Sequence, residues 1–210
     1  MFSCDDQKEI NYDEFVINPY SFDNAYLSSD CEEVVSSAIH SKFHTTVLDL
    51  SQKRLTDIKF IKDYPNLEEL DLTENGFESI VALLSLKNLR ILNLTCDCHI
   101  RDLELLGQLT SLEKLNICAV FSRDDIDYPE LGFLVPLINL RELDISSNSN
   151  MSRISPLAAL PHLELIDISG CFCIEDYESL TSFLSLKTVK ILKFDQGKLP
   201  ALPNVIIQTS

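Results

Sequence analysis

Two cysteine clusters and one run of carboxylates are the places where this sequence has the residue types for chemistry. Cys96-Asp97-Cys98-His99 offers two thiols and an imidazole within four positions, and Cys171-Phe172-Cys173 offers two more thiols. Such sets bind zinc when four donors converge at about 2.3 Å from sulfur. The fourth donor is missing from the first cluster, and an acidic run at Asp124, Asp125, Asp127 and Glu130 lacks the glycine and terminal glutamate spacing of a calcium loop. His40, His44, His99 and His162 have no serine or cysteine partner at a nucleophilic spacing. No phosphate-binding, dinucleotide, GxSxG or HExxH motif is present, and five glycines leave little for a phosphate-cradling loop. The expectation is therefore no catalytic, metal or cofactor site. The alternative of another class is a small metalloprotein or enzyme using Cys96, Cys98 and His99.

The elements that must carry these residues repeat. Asn66–Ile80 reads NLEELDLTENGFESI, and its apolar skeleton returns along most of the chain. Aligned on the first position of LxxLxL, units start at Thr45, Leu67, Leu89, Leu112, Leu140, Leu163 and Val189, in steps of 22, 22, 23, 28, 23 and 26 residues. Alternation in LEELDLT sends Leu70 and Leu72 inward and Glu69 and Asp71 outward from a short strand. The return segments step apolar residues by three, as in Leu103, Leu106 and Leu109, which suits 3₁₀ turns. One unit cannot bury its own leucines, so the units must stack into a parallel sheet with a continuous core. At about 4.8 Å per strand, stacking separates the two cysteine clusters by about 14 Å, too far to share one ion.

These units resemble the leucine-rich repeat superfamily, consensus LxxLxLxxNxLxxL, from residue 45 to about 203. Their length is similar to the 22-residue class of bacterial internalins and a type-1 phosphatase regulatory subunit. The resemblance implies an α/β leucine-rich repeat solenoid, curved and right-handed. Its parallel sheet lies on the concave face, with short helices or 3₁₀ turns on the convex face. It also implies a non-catalytic protein-interaction role, as an adaptor or regulatory subunit. The repeats LPHLELIDISG and LINLRELDIS also resemble those of substrate receptors of cullin-type ubiquitin ligases, so a substrate-recognition subunit is the alternative within this class.

The array has expected ends. Residues 1–28 form an acidic leader, part of a 33-residue stretch with nine acidic side chains and one lysine. Residues 29–44 read as a capping helix, with Ser29 and Glu32 at capping-box spacing. Seven repeats fill 45–203, and 204–210 is a C-terminal tail. The column usually filled by asparagine holds Lys53, Asn75, Asp97, Val120, Asn148, Cys171 and Gly197, of which only two can supply an amide.

What remains for function is surface. The outward column Asp49, Asp71, Asn93, Asn116, Asp144, Asp167 and Lys193 forms a polar, mostly acidic stripe. Beside it run Glu69, Ile91, Lys114, Glu142, Leu165 and Ile191. The fourth repeat is interrupted by VFSRDDIDYPELGF (Val120–Phe133), after which the register resumes at Leu131, Leu134 and Leu137. The insertion is therefore a rim loop, not a domain boundary. The third and fifth repeats swell at the same place. The expected partner-binding residues are Asp71, Asn93, Asn116, Asp144 and Asp167 on the sheet, with Phe121, Arg123 and Tyr128 on the rim loop 120–130. A net charge of −16 disfavours nucleic acid and anionic membranes and favours a protein partner with a basic surface. No run of 18 apolar residues predicts a membrane span. The acidic N-terminus without a signal-like apolar segment, and an odd number of cysteines, make a reducing cytoplasm or nucleus the expected location. A monomer or weak self-association is expected.

Overall fold

A computed structural model describes residues 41–121 and 130–209. Among these residues eight short strands form one parallel sheet in chain order: β1 Val47–Asp49, β2 Glu69–Asp71, β3 Ile91–Asn93, β4 Lys114–Asn116, β5 Glu142–Asp144, β6 Leu165–Asp167, β7 Thr188–Ile191 and β8 Ile206–Thr209. The inward residue of each strand is in register with the next, as in Leu48 with Leu70 and Leu143 with Ile166. Seven 3₁₀ turns among the described residues return the chain: η1 Lys59–Asp63, η2 Val81–Ser85, η3 Leu103–Gln108, η4 Leu131–Leu134, η5 Ser155–Ala159, η6 Tyr177–Ser182 and η7 Lys193–Lys198. The solenoid with three-residue convex steps is thus as the spacing predicts. Leucines such as Leu67, Leu89, Leu112 and Leu140 are fully buried between the layers. No helix among the described residues is long and apolar enough to cross a membrane.

Two boundaries differ from the sequence expectation. The last repeat starts at Leu186, because Val189 pairs with Ile166 and Lys190 with Asp167. The segment LKTVKILKF satisfies LxxLxL twice, from Leu186 or from Val189. The first choice buries Leu186, Val189 and Ile191 and leaves Phe194 70% exposed. Lys190, not Lys193, therefore follows Asp167 in the outward column, with Gln208 after it, and Thr188, not Ile191, continues its neighbour. Secondly, Ile206–Thr209 is a strand where a tail was expected. Of the expected cap, 41–44 are helical. Lys42 pairs with Asp63 at 3.1 Å and lies 5.5 Å from the Tyr64 ring centre, while Asn66 donates to the Phe43 carbonyl. Residues 29–40 and the leader lie outside the described residues.

A backbone ladder stitches the strand ends. Gln52, Glu74, Cys96, Ala119 and Ser147 adopt positive φ, and each donates its N–H to the next repeat, as Ala119 does to Ser146 at 3.0 Å. In the sixth repeat Gly170 takes this conformation at φ +74°. A side chain in the left-handed region costs about 1–2 kcal/mol, partly offset by the extra entropy that glycine loses on folding. Ala119→Gly is expected to stabilise the fold by about 0.5–1 kcal/mol, raising the thermal midpoint by about 1–4 °C. A lower midpoint would show that the methyl group packs usefully.

Candidate interaction surface

The outward column is built into the strand-end turns. Asp49, Asp71, Asn93, Asn116, Asp144 and Asp167 each direct Oδ1 to the backbone N–H two residues on, at 2.8–3.1 Å. Asn93 and Asp144 also accept from the hydroxyls of Thr95 and Ser146. These are Asx turns, in which a short polar side chain satisfies a donor exposed where the strand ends. The Ser51 hydroxyl and N–H hold the Asp49 carboxyl below its ordinary range. The column therefore has a structural task, and only the second oxygens of its aspartates and the amide nitrogens of Asn93 and Asn116 remain for a partner. Even there Asp71 accepts from Asn93 Nδ2 at 3.0 Å, and Asp167 lies 3.8 Å from Lys190 Nζ.

The neighbouring positions carry the more available charge. Glu69 is exposed, and Lys114 pairs with Glu142 at 2.8 Å. One residue before each strand the charges alternate along the stack: Glu68, Arg90, Glu113, Arg141, Glu164 and Lys187. Arg90 meets Glu113 through two nitrogens at 2.9 Å, and Glu164 is shared by Arg141 at 3.0 Å and Lys187 at 2.7 Å. Hydrogen bonds from Arg90 and from Lys187 hold Glu113 and Glu164, respectively, below the usual carboxylate range. This alternation follows the repeat register, so it was readable in the sequence, but only with the columns written side by side.

The fold has solved counterparts. Internalin C2 of Listeria monocytogenes superposes with a TM-score of 0.65 at 24% identity, covering 80% of this chain and 72% of that one. Internalin F of the same organism gives 0.57 at 22%, covering 85% and 57%. A Leptospira interrogans leucine-rich repeat protein gives 0.55 at 17%, covering 83% and 51%. Residues 138–182 match the family described as leucine-rich repeats in two copies. The described residues have the leucine-rich repeat fold. In sequence the chain is similar to the leucine-rich repeat and WD repeat-containing protein 1 of Xenopus tropicalis, 33% identical over 117 residues, and of Xenopus laevis, 34% over 116. These alignments take in 54% and 53% of this chain but only 16% and 15% of those relatives' lengths.

On the rim of this leucine-rich repeat array, Phe121 departs from expectation. It is 3% exposed, next to the buried Val120, and its N–H is held by Asn148 Oδ1 at 2.8 Å. It is a core residue at the root of the insertion and offers no side chain to a partner. Arg123 and Tyr128 lie outside the described residues. The described cysteines do not assemble a site either. Cys98 Sγ is 3.8 Å from His99 Nδ1, but no three His, Cys, Asp or Glu side chains among the described residues group closely enough to hold a metal ion. Burial pushes the Cys171 thiol up to about 12, and it donates to the Ile145 carbonyl at 3.1 Å in the asparagine column. Burial likewise raises Cys96, with the neighbouring Cys118 and Glu74 adding to it. Neither is poised as a thiolate nucleophile.

Two features of the array went unread in the sequence: the burial of Asp97, which the register places in the asparagine column and which is 1% exposed, and a pair of rim aromatics. Phe172 and Phe194, from the sixth and seventh repeats, stand out on the rim with ring centres 6.0 Å apart and an 18° angle between planes. The register ambiguity at Leu186 and Val189 concealed the second, since the Val189 register assigns Phe194 to the core.

Proposed function

We propose that this leucine-rich repeat chain is a non-catalytic protein-interaction module, an adaptor or regulatory subunit of the cytoplasm or nucleus. It takes a partner with a basic surface along the exposed sheet face and the adjoining rim at 120–130. The observation that carries this reading is the sheet face itself. Asp49, Glu69, Asp71, Glu142, Asp144 and Asp167 align there at strand spacing, against Lys114 and Lys190. A predominantly negative face steers and orients a complementary partner.

The test must spare the Asx turns. Glu69→Lys with Glu142→Lys reverses two outward charges outside that column. Affinity capture from native cell extract is expected to retain partners that the double variant loses, with retention by the wild type falling as salt rises. The same partners retained at the same salt by both proteins would overturn the proposal.

A further inference from the structure

We infer that the Phe172–Phe194 pair, with Lys193 of the same turn and Lys190 at the adjoining end of β7, docks an acidic partner segment bearing an aromatic or aliphatic side chain. This rests on the protein-binding reading above and adds the chemistry of the partner at one end of the array.

Single exposed apolar side chains are ordinary on a protein surface, but two large rings stacked on each other outside the core are not. Phe172 is 52% and Phe194 70% exposed, and they follow β6 and β7 at the same side of the stack. Their mutual contact fixes both rings before any partner arrives, which lowers the ordering cost of binding. An aromatic anchor of this kind is a frequent hot spot when a partner side chain covers it.

Charge selects the occupant. The chain as a whole carries −16, yet from residue 187 onward it has four lysines, Lys187, Lys190, Lys193 and Lys198, and one carboxylate, Asp195. Asp195 is buried and holds Lys198 at 2.6 Å, while Lys187 is held by Glu164. Lys193 is exposed and has no ion pair among the described residues, and Lys190 has only the 3.8 Å contact with Asp167. A basic segment suited to Glu69 and Asp71 would meet these two lysines unfavourably here. An acidic segment places carboxylates on them and its apolar side chain on the rings, so the two ends of the array fix the direction in which a partner lies.

The test titrates the full chain into a fluorescein-labelled peptide of glutamates flanking a single phenylalanine, read by anisotropy. Saturable binding is expected, weakened roughly tenfold or more by Phe194→Ser and by Lys193→Glu, each checked for an unchanged thermal midpoint. Glu69→Lys with Glu142→Lys should leave it unchanged. No saturable binding, equal binding by Phe194→Ser, or loss in the Glu69/Glu142 variant overturns the inference. If wild type sediments as a dimer that Phe194→Ser dissociates while the peptide fails to bind, the occupant is a second copy and the inference also falls. Extract partners that still depend on Glu69 and Glu142 would then show that only this site, and not the protein-binding reading, has failed.

Discussion

Replacing Asp97 by asparagine should stabilise this protein at pH 8 by about 2–4 kcal/mol, and the gain should shrink as pH falls toward 4. The reason lies in the column that Asp97 shares with Asn75 and Asn148. Asn75 Nδ2 donates to the carbonyls of Leu50 and Leu72, and Asn148 Nδ2 to those of Ile117 and Ile145. Their Oδ1 atoms accept the N–H of Leu55 and Phe121. Asp97 makes half of this pattern. Its Oδ1 accepts the Asn75 N–H at 2.7 Å, but its buried Oδ2 has no hydrogen-bond partner. Where asparagine brings two donors to backbone carbonyls, a carboxylate brings only another acceptor.

Burial accordingly pushes the Asp97 carboxyl from 3.8 up to about 7, against the Asn75 N–H and with help from the nearby Asp71 charge. A folded value above the unfolded one means that the fold favours the protonated acid. Below pH 4 both states hold the proton and nothing is lost. Between about 4 and 7 the folded state must keep a proton that the unfolded chain releases, and stability declines. Above about 7 the full penalty applies, with a ceiling of about 4 kcal/mol from the size of the shift. Asparagine supplies the missing donor in the same volume at every pH. Denaturant melts of both proteins across pH 4–8 check this. An Asp97→Asn variant that is no more stable at pH 8, or a difference that ignores pH, would sink it.

Why the sequence disclosed some of this and not the rest follows from how each signal is made. Burial writes itself into composition. Leu67, Leu70 and Leu72 recur because the core admits little else, so strand positions and the return of register at Leu131 could be read directly. A turn requirement leaves a fainter mark. The Asp or Asn followed two residues later by Ser, Thr or Cys, as in Asp144 and Ser146, has the residue types of an Asx turn, yet an acidic stripe reads only as a binding surface until distances show that it also closes the strand-end turns. Phe121 was misread for a related reason: an aromatic in an insertion resembles a contact residue, while the space beside Val120 and Asn148 needed a core residue. At Leu186 two registers fit equally, and only pairing with β6 chose between them. The alternating column from Glu68 to Lys187 was visible but needed every strand aligned first.

Glycine 107 left no sequence signal, and its replacement by alanine should be among the most damaging single changes in the array. It sits in η3, where a Cβ would come within 2.3 Å of the Phe133 carbonyl oxygen, with the Phe133 carbonyl carbon at 3.4 Å and Pro136 Cγ at 3.6 Å. The first obstruction is the backbone of η4, which cannot rotate away as a side chain would. Relief requires η3 and η4 to part, yet Leu106, Leu131 and Leu134 are fully buried where those turns pack. Other repeats carry Leu84 and Ala158 at the matching position, so the close approach belongs to the junction of the third and fourth repeats. Overpacking of this kind typically costs about 1–3 kcal/mol, and a backbone obstacle puts Gly107→Ala at the upper end or beyond. The thermal midpoint should fall by about 5–10 °C. Because stacked repeats couple mainly to their neighbours, the loss should be local. Hydrogen exchange is expected to quicken first at Leu106, Leu109, Leu134 and Leu137, while β6 and β7 hold their protection. A midpoint within about 1 °C of wild type would show that the two turns can separate freely. Uniform acceleration along the chain would instead show that the array melts as one unit.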